Sequence, residues 1–122
     1  MLPGIKLFDL SGRSAIITGG SKGLGQAMAA GLASAGADVL LTSRNVTEGE
    51  AAAKEIADAF GHRALAMAAD VTSVDACQSV VQKALDEFGQ IDILINNAGI
   101  NIRGSIDDYR EVWGKSNCLA AA

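Results

Sequence analysis

The sequence predicts an α/β fold in which helices wind around a parallel sheet, and three observations support this prediction. Four short apolar runs alternate with three longer segments whose apolar residues recur at helical spacing. Each of the three longer segments ends at a glycine, namely Gly36, Gly61 and Gly89. The connections are only a handful of residues long. This alternation is typical of parallel strands joined by right-handed crossovers.

The first strand and helix flank a glycine-rich loop. The strand is predicted at residues 14–18, and the loop that follows reads Gly19-Gly20-Ser21-Lys22-Gly23-Leu24-Gly25. A helix then follows as far as Gly36. Its predicted buried stripe comprises Leu24, Ala27, Met28, Gly31, Leu32 and Ala35.

Two more pairs of a strand and a helix follow, with strands predicted at Asp38–Thr42 and Ala64–Ala68. Either Thr72 or Ser73 can cap the helix after the third strand. The predicted buried face of the second helix comprises Gly49, Ala52, Ala53, Ile56, Ala57 and Phe60. That of the third helix comprises Val74, Cys77, Val81, Ala84, Leu85 and Phe88.

The fourth strand is predicted at Ile91–Ile95, and a further helix could begin within residues 106–113. Four strands with three to four helices predict a Rossmann-type doubly wound sheet of spatial order 3-2-1-4, incomplete at this length. Ligands bind such sheets at the carboxyl ends of the strands, where the strand order reverses. We therefore expect a site around Gly19, Asn96 and Gly99.

Charge and composition exclude several classes of protein. The net charge of −4 gives no basic surface for nucleic acid, and no run of Lys or Arg indicates a membrane surface. Cys77 and Cys118 are far apart, with no CxxC or His-rich neighbourhood, so neither a metal site nor a disulfide framework is indicated. No signal peptide or membrane span is recognisable. We expect a cytoplasmic protein.

The glycine loop stands where a dinucleotide-binding turn belongs, after a strand and before a helix. Glycine allows positive φ and lets the backbone approach a pyrophosphate, whose charge is met by N–H groups at the helix N-terminus. The spacing G-x-x-x-G-x-G differs from the commoner G-x-G-x-x-G. From the glycines alone, a turn without a ligand is the alternative.

The end of the second strand predicts the choice between NAD and NADP. A carboxylate that binds the ribose 2′-OH of NAD is expected roughly 20 residues after the loop. Here the chain has no carboxylate between Asp38 and Glu48, whereas Arg44 offers a guanidinium suited to a phosphate. Lys22 could supply a second positive charge. We predict NADP, with NAD possible; the alternative is that both cations are solvated surface charges.

Three motifs resemble the short-chain dehydrogenase/reductase family: Thr18-Gly19-x-x-x-Gly23-x-Gly25, Asp70-Val71 and the segment 92–99, which reads DILINNAG. The resemblance runs from Phe8 to about Trp113, the first half of a typical member. It implies that Asp70 binds the adenine amino group, that Val71 borders the adenine, and that residues 96–99 contact the ribose side. The predicted cofactor-binding residues are Thr18, Gly19, Ser21, Lys22, Gly23, Leu24, Gly25, Arg44, Asp70, Val71, Asn97, Ala98 and Gly99. Asp70 as a strand-terminating cap and the asparagines as loop structure are the alternatives.

The family's catalytic set, as the resemblance implies it, is a Tyr with a Lys four residues later, a Ser and a relay Asn. This chain does not contain the set. Tyr109 is followed four residues later by Trp113, Ser105 fits better as a helix cap, and Asn117 is one position out of register. We therefore predict no catalytic residue and no metal site.

The sequence after Gly114 no longer resembles the family's long interface helix, so we expect a truncated or frameshifted reading frame. We expect residues 1–122 to form one NAD(P)-binding Rossmann domain, truncated at its C-terminal end and inactive alone. Ile91 and residues 93–95 would form an unpaired apolar edge, which predicts poor solubility or self-association.

Two functions remain as hypotheses. The first is an NADP-preferring oxidoreductase that interconverts carbonyls and alcohols, either of the gluconate, sugar or polyol dehydrogenase type or of the 3-oxoacyl carrier-protein reductase type. It would act on a small molecule, with no nucleic acid or membrane partner, and as a homo-oligomer when complete. The second is a non-catalytic nucleotide-binding module.

Overall fold

The computed structural model describes residues 7–21, 23–70 and 72–97. Their elements, in chain order, are β1 (Ser14–Thr18), α1 (Gly23–Ser34), β2 (Asp38–Ser43), α2 (Val46–Phe60), β3 (Ala64–Ala68), α3 (Val74–Phe88) and β4 (Ile93–Ile95). The strands form one parallel sheet of order β3-β2-β1-β4. The predicted α/β class and the strand order are both confirmed.

The register of the sheet aligns the carboxyl ends of its strands. Thr18 at the end of β1 lies opposite Thr42, and Ser43 at the end of β2 lies opposite Ala68. On the other side of β1, Ile17 lies opposite Ile95. The loops that leave the four strands therefore meet at one edge of the sheet, which we call the carboxyl edge.

Helices cover both faces of the sheet. On one face, α1 and α2 pack against β1 and β2 through Ala15, Ile17, Val39, Leu41, Ala29, Ala33, Ala52, Ala53 and Ile56. On the other face, α3 packs through Cys77, Val80 and Ala84 against Ile16 and Leu40. Burial on both faces explains why β1 and β2 read as continuous apolar runs.

The ends of α2 and α3 carry the capping residues that their sequences lead one to expect. Asn45 caps α2 and Ser73 caps α3, which settles the choice between Thr72 and Ser73. Gly61 and Gly89 end the same helices in the left-handed conformation, with φ of 74° and 79°. No helix in the described part of the chain is long and apolar enough to cross a membrane.

The predicted buried face is wrong for α1 and is largely confirmed for α3. The buried residues of α1 are Gly25, Ala29 and Ala33, whereas the predicted Leu24 is 70% exposed. Apolar and small residues surround α1 on all sides, so spacing alone does not select the face that packs on the sheet. In α3, four of the six predicted residues pack against the core, whereas Val74 and Leu85 are exposed and Val80 is buried as well.

The predicted face of α2 is largely confirmed, and β4 is shorter than predicted. Gly49, Ala52, Ala53 and Ile56 are the buried residues of α2, although Phe60 is 39% exposed. The strand β4 starts at Ile93 instead of Ile91. Ile91 packs against the core on the α3 side of the sheet.

A polar network ties β4 to β1 at their amino ends. The Asp92 carboxylate accepts hydrogen bonds from the Ser14 amide at 2.9 Å and from the Gln90 side chain at 2.7 Å. It also pairs with the Arg13 guanidinium at 3.4 Å. The Ser14 N–H bond, followed by those of Gln90 and Arg13, lowers the pKa of Asp92 from its ordinary value. These bonds secure the register that aligns the carboxyl edge.

The sequence indicated no disulfide framework, and this expectation is wrong for Cys77, which is disulfide-bonded in the structure. Its side chain is only 2% exposed and lies on the buried face of α3. Spacing along the chain does not determine which thiols a fold brings together, so the sequence carried no signal for this bond.

Candidate nucleotide-binding site

The glycine loop leaves β1 in a conformation that requires glycine. Gly19 and Gly23 have φ of 66° and 63°, in the left-handed region that side chains disfavour. The Gly20 amide donates a hydrogen bond to the Thr42 carbonyl at 3.0 Å, which ties the loop to the end of β2. The loop then enters α1 at Gly23, so the N-terminus of a helix faces the carboxyl edge.

Gly25 allows the first turn of α1 to pack directly on the loop and on the end of β4. A Cβ atom at this position would lie 2.6 Å from the Asn97 side-chain nitrogen and would also strike the Gly19 carbonyl. Because one of these obstacles is backbone, a side chain could not be accommodated by a rotamer change alone. The glycine is therefore required for a close approach.

Asn97 and Thr18 join β4 to the glycine loop. The Asn97 amide N–H donates to the Thr18 hydroxyl at 3.0 Å, and the Asn97 side-chain nitrogen donates to the Gly19 carbonyl at 3.2 Å. The Thr18 hydroxyl in turn donates to the Ile95 carbonyl at 3.4 Å. The predicted meeting of the glycine loop with the segment after β4 is therefore present at Asn97.

Hydrogen bonds hold the end of β2 in place, and the cation that follows it, Arg44, is exposed. The Ser43 hydroxyl donates to the Ser21 hydroxyl at 3.1 Å and accepts from the Asn45 amide at 3.2 Å. The Ser43 carbonyl accepts from the Ala69 amide at 3.1 Å, which links β2 to the segment after β3. Arg44 lies between Ser43 and Asn45 and is exposed.

An open cavity of about 670 Å³ lies at the carboxyl edge beside Arg44. Its other described lining residues are Ala68, Ala69, Asp70, Thr72 and Ala76. Hydrogen bonds from the side chain and amide of Thr72, and more weakly the Arg44 charge, lower the pKa of Asp70 from its ordinary value. Among the described residues that line the cavity, one is a cation, one is an ionised carboxylate and three are alanines.

Nine of the predicted site residues lie together along the carboxyl edge: Thr18, Gly19, Ser21, Gly23, Leu24, Gly25, Arg44, Asp70 and Asn97. Lys22, Val71, Ala98 and Gly99 lie outside the described residues. So do Ser105, Tyr109 and Asn117. In the part of the chain that the structure describes, no group of His, Cys, Asp or Glu residues could hold a metal ion.

Two polar residues of this edge, Ser43 and Asn45, are not among the site residues predicted from the sequence. Ser43 bridges the glycine loop and the following turn, and Asn45 caps α2. A signal for Asn45 was present, because Asn45 precedes Glu48 by three residues, in the manner of a capping box. The contact of Ser43 with Ser21 had no signal, since it depends on tertiary structure.

The sequence of residues 13–115 matches the family described as short chain dehydrogenase. The chain belongs to this family. It is 40% identical over 107 residues to 2-dehydro-3-deoxy-D-gluconate 5-dehydrogenase of Dickeya dadantii, covering 88% of this chain and 41% of that protein. It is 43% identical over 108 residues to gluconate 5-dehydrogenase of Gluconobacter oxydans, covering 88% and 42%. The chain thus spans less than half the length of these curated relatives.

Solved structures of the family share the fold. The L-sorbose reductase from Gluconobacter frateurii, complexed with NADPH and L-sorbose, superposes with a TM-score of 0.81 at 34% identity. The match covers 93% of this short-chain dehydrogenase/reductase chain and 45% of the reductase. The described elements of the chain therefore correspond to less than half of that reductase.

Proposed function

We propose that this chain is the NADP-binding part of an oxidoreductase that interconverts a carbonyl and an alcohol by hydride transfer. The observation that carries the proposal is the charge at the end of β2. Arg44 borders the cavity, and the sequence offers no carboxylate at the end of this strand. A guanidinium there favours a ribose 2′-phosphate, whereas a carboxylate would bind a free 2′-hydroxyl.

The pyrophosphate would lie against the glycine loop. Gly19, Ser21, Gly23, Leu24 and Gly25 bring backbone toward it, and the N-terminus of α1 supplies a favourable dipole. Thr18 holds this loop to the end of β4 through its bonds to Asn97 and Ile95. The bound cofactor supplies the hydride, and the residues of this chain bind and orient it.

The adenosine half would occupy the cavity beside Arg44. Asp70 would accept a hydrogen bond from the adenine amino group, and its lowered pKa keeps the carboxylate ionised at neutral pH. Val71 would border the adenine, and Lys22 would add a second positive charge to Arg44 at the 2′-phosphate. Asn97, Ala98 and Gly99 would contact the ribose side.

We propose a small polyhydroxy carbonyl or alcohol as the substrate. The support is the names of the relatives, which include two gluconate-type dehydrogenases and an L-sorbose reductase. Of the two substrate types that the sequence leaves open, the sugar and polyol type is favoured over the 3-oxoacyl type. The whole enzyme would be a homo-oligomer.

We further propose that residues 1–122 act as one cofactor-binding domain without turnover of their own. The sequence offers no Tyr followed four residues later by Lys. We expect no oxidation of gluconate and no reduction of sorbose when NADP(H) is supplied to the purified chain. Turnover above the rate of a sample without protein would contradict this.

The location is also a proposal, and we place the protein in the cytoplasm. The disulfide at Cys77 is the observation against it, because cytoplasmic thiols are kept reduced. Alkylation of thiols at the moment of cell lysis, followed by intact-mass measurement, decides the point. An alkylated Cys77 agrees with the proposal, and an oxidised one contradicts it.

The substitution Arg44→Ala tests the cofactor assignment. A charge-assisted hydrogen bond contributes about 1.5–3 kcal/mol, so the Kd for NADPH should rise about ten-fold to a hundred-fold. The Kd for NADH, which lacks the phosphate, should change far less. Both values are measured by the fluorescence of the bound reduced nucleotide.

The control for this substitution is Lys54→Ala, which removes the same charge from an exposed position on α2 outside the cavity. It should leave both Kd values unchanged within about two-fold, since distant surface charges are screened by salt. If Arg44→Ala raises the Kd values for NADPH and NADH equally, Arg44 does not bind the 2′-phosphate.

A further inference from the structure

The turn that carries Arg44 is fixed on both sides. Before Arg44, the Ser43 side chain is almost fully buried and donates to Ser21 at 3.1 Å. After Arg44, the Asn45 amide donates back to the Ser43 hydroxyl at 3.2 Å. The backbone of Arg44 therefore lies between two anchored neighbours, and Arg44 itself is exposed and lines the cavity.

Asn45 also anchors this turn to α2. Its side-chain oxygen accepts hydrogen bonds from the Thr47 amide at 3.0 Å and the Glu48 amide at 3.2 Å. Its carbonyl accepts from the Gly49 amide at 3.0 Å. The N–H groups of Thr47 and Glu48 are thus already engaged by Asn45, so these two amides do not bind a phosphate near this helix end.

Gly49 brings the first turn of α2 close to the strand ends. A Cβ atom on Gly49 would lie 3.3 Å from the Cβ atoms of both Ser43 and Ala66. The helix that Asn45 caps therefore packs directly on the residue before Arg44. Loss of the cap would loosen the turn at the position where Arg44 leaves β2.

We infer that Asn45 is a positioning residue for Arg44, and that its cap contributes to the preference for a 2′-phosphorylated nucleotide. The inference rests on the proposed function, since it requires that Arg44 bind the 2′-phosphate. Ordering a long side chain at a binding site costs about 0.5–1.5 kcal/mol, and a pre-ordered backbone reduces that cost. Asn45 supplies this order without contacting the nucleotide.

The test measures the Kd values of NADPH and NADH for the full chain and for variants substituted at Asn45, Gly61 and Arg44. Asn45→Ala removes the cap and should raise the Kd for NADPH about three-fold to ten-fold. The Kd for NADH should change less than about two-fold. Asn45→Ser keeps a residue that caps helices about equally well, and it should restore NADPH binding. Gly61→Ala destabilises α2 from its other end, where φ is 74° and no atom lies within 4 Å of the added Cβ.

Gly61→Ala separates positioning from general helix stability. If Asn45 acts only through the stability of α2, Gly61→Ala will lower the affinity for NADPH as much as Asn45→Ala does when the two variants lose equal free energy of unfolding. That result would overturn the inference. Repeating Asn45→Ala in an Arg44→Ala background gives the second readout. A positioning role predicts no further loss of NADPH affinity there.

The outcomes distinguish the inference from the function on which it rests. If the unaltered chain does not prefer NADPH to NADH, or Arg44→Ala leaves NADPH affinity unchanged, the proposed function fails and the inference fails with it. Suppose that the chain prefers NADPH and that Arg44→Ala weakens NADPH binding, but that Asn45→Ala changes the Kd values of both nucleotides equally or changes neither. In that case only the inference is overturned. A loss of affinity for NADPH alone in Asn45→Ala, which Asn45→Ser restores, supports the inference.

Discussion

At the scale of single residues, the carboxyl edge leaves very little room for added volume. Gly25 is the sharpest case, because its missing side chain is what allows α1, the glycine loop and Asn97 to come together. Gly31 lies on the same helix, where a Cβ atom would meet nothing within 4 Å. Alanine at these two positions therefore separates the cost of an overcrowded contact from the effect of reduced backbone freedom.

Gly25→Ala should destabilise the chain by about 1–3 kcal/mol, as overpacking does in well-packed interiors. Gly31→Ala should stabilise it by about 0.5–1 kcal/mol, since alanine loses less conformational entropy in a helix interior than glycine does. Urea unfolding followed by circular dichroism measures both free energies of unfolding. The interpretation is wrong if the two substitutions shift stability in the same direction.

Leu24 shows how a residue can be apolar and still lie outside the core. Its side chain is 70% exposed at the start of α1, beside the loop proposed to bind pyrophosphate. Leu24→Ala should therefore change the free energy of unfolding by less than about 0.5 kcal/mol, as exposed substitutions do. A loss typical of a buried leucine, about 2–5 kcal/mol, would contradict the exposed position.

At the scale of elements, the pairing of β1 with β4 depends on a polar network as well as on apolar packing. The pKa of Asp92 is lowered mainly by the Ser14 amide, which holds the beginning of β4 to the beginning of β1. A carboxylate whose pKa is lower in the folded chain stabilises the fold above its unfolded pKa of about 3.9. That stabilisation is lost as the pH falls through the folded pKa.

Asp92→Asn should therefore lower the urea midpoint at pH 7, and the difference from the unaltered chain should shrink as the pH falls below about 4. Unfolding curves collected at several pH values give this comparison. Asp58→Asn, an exposed substitution on α2 that changes the net charge equally, is the control for total charge. A difference for Asp92→Asn that is the same at pH 7 and pH 3 would exclude the proposed role of its carboxylate.

At the scale of the whole molecule, β4 pairs with β1 and with no other strand among the described residues. Leu94 on this strand is 42% exposed and lies on the face opposite the α1 side, next to Ile16. Exposed apolar strand edges are templates for association between chains. We therefore expect the 122-residue chain to associate through β4.

Leu94→Lys should reduce this association, because a charged side chain on a strand edge disfavours pairing with another chain. Leu85→Lys is the matched control, since Leu85 is exposed to the same 42% but lies on α3. Sedimentation velocity over a concentration series measures the distribution of species for each chain. A compact monomer at high concentration for the unaltered chain would contradict the expectation.

Local sequence determined most of the fold. Strands β1 and β3 begin and end where short apolar runs meet polar or glycine residues, and the ends of α2 and α3 follow their caps and glycines. The position of the glycine loop and of Arg44 followed from the same local signals. Such signals act within a few residues, so the chain carries them without reference to its tertiary structure.

Tertiary structure alone decided which face of α1 is buried, how the loops interlock and where β4 begins. In α1 the apolar residues lie on all sides, so the buried face depends on the sheet and on α2. Asn97 is held by Thr18 and Gly19, and Ser43 by Ser21, across long stretches of chain. The close approach at Gly25 makes the Asn97 contacts possible, and no local pattern encodes a distance between residues so far apart in sequence.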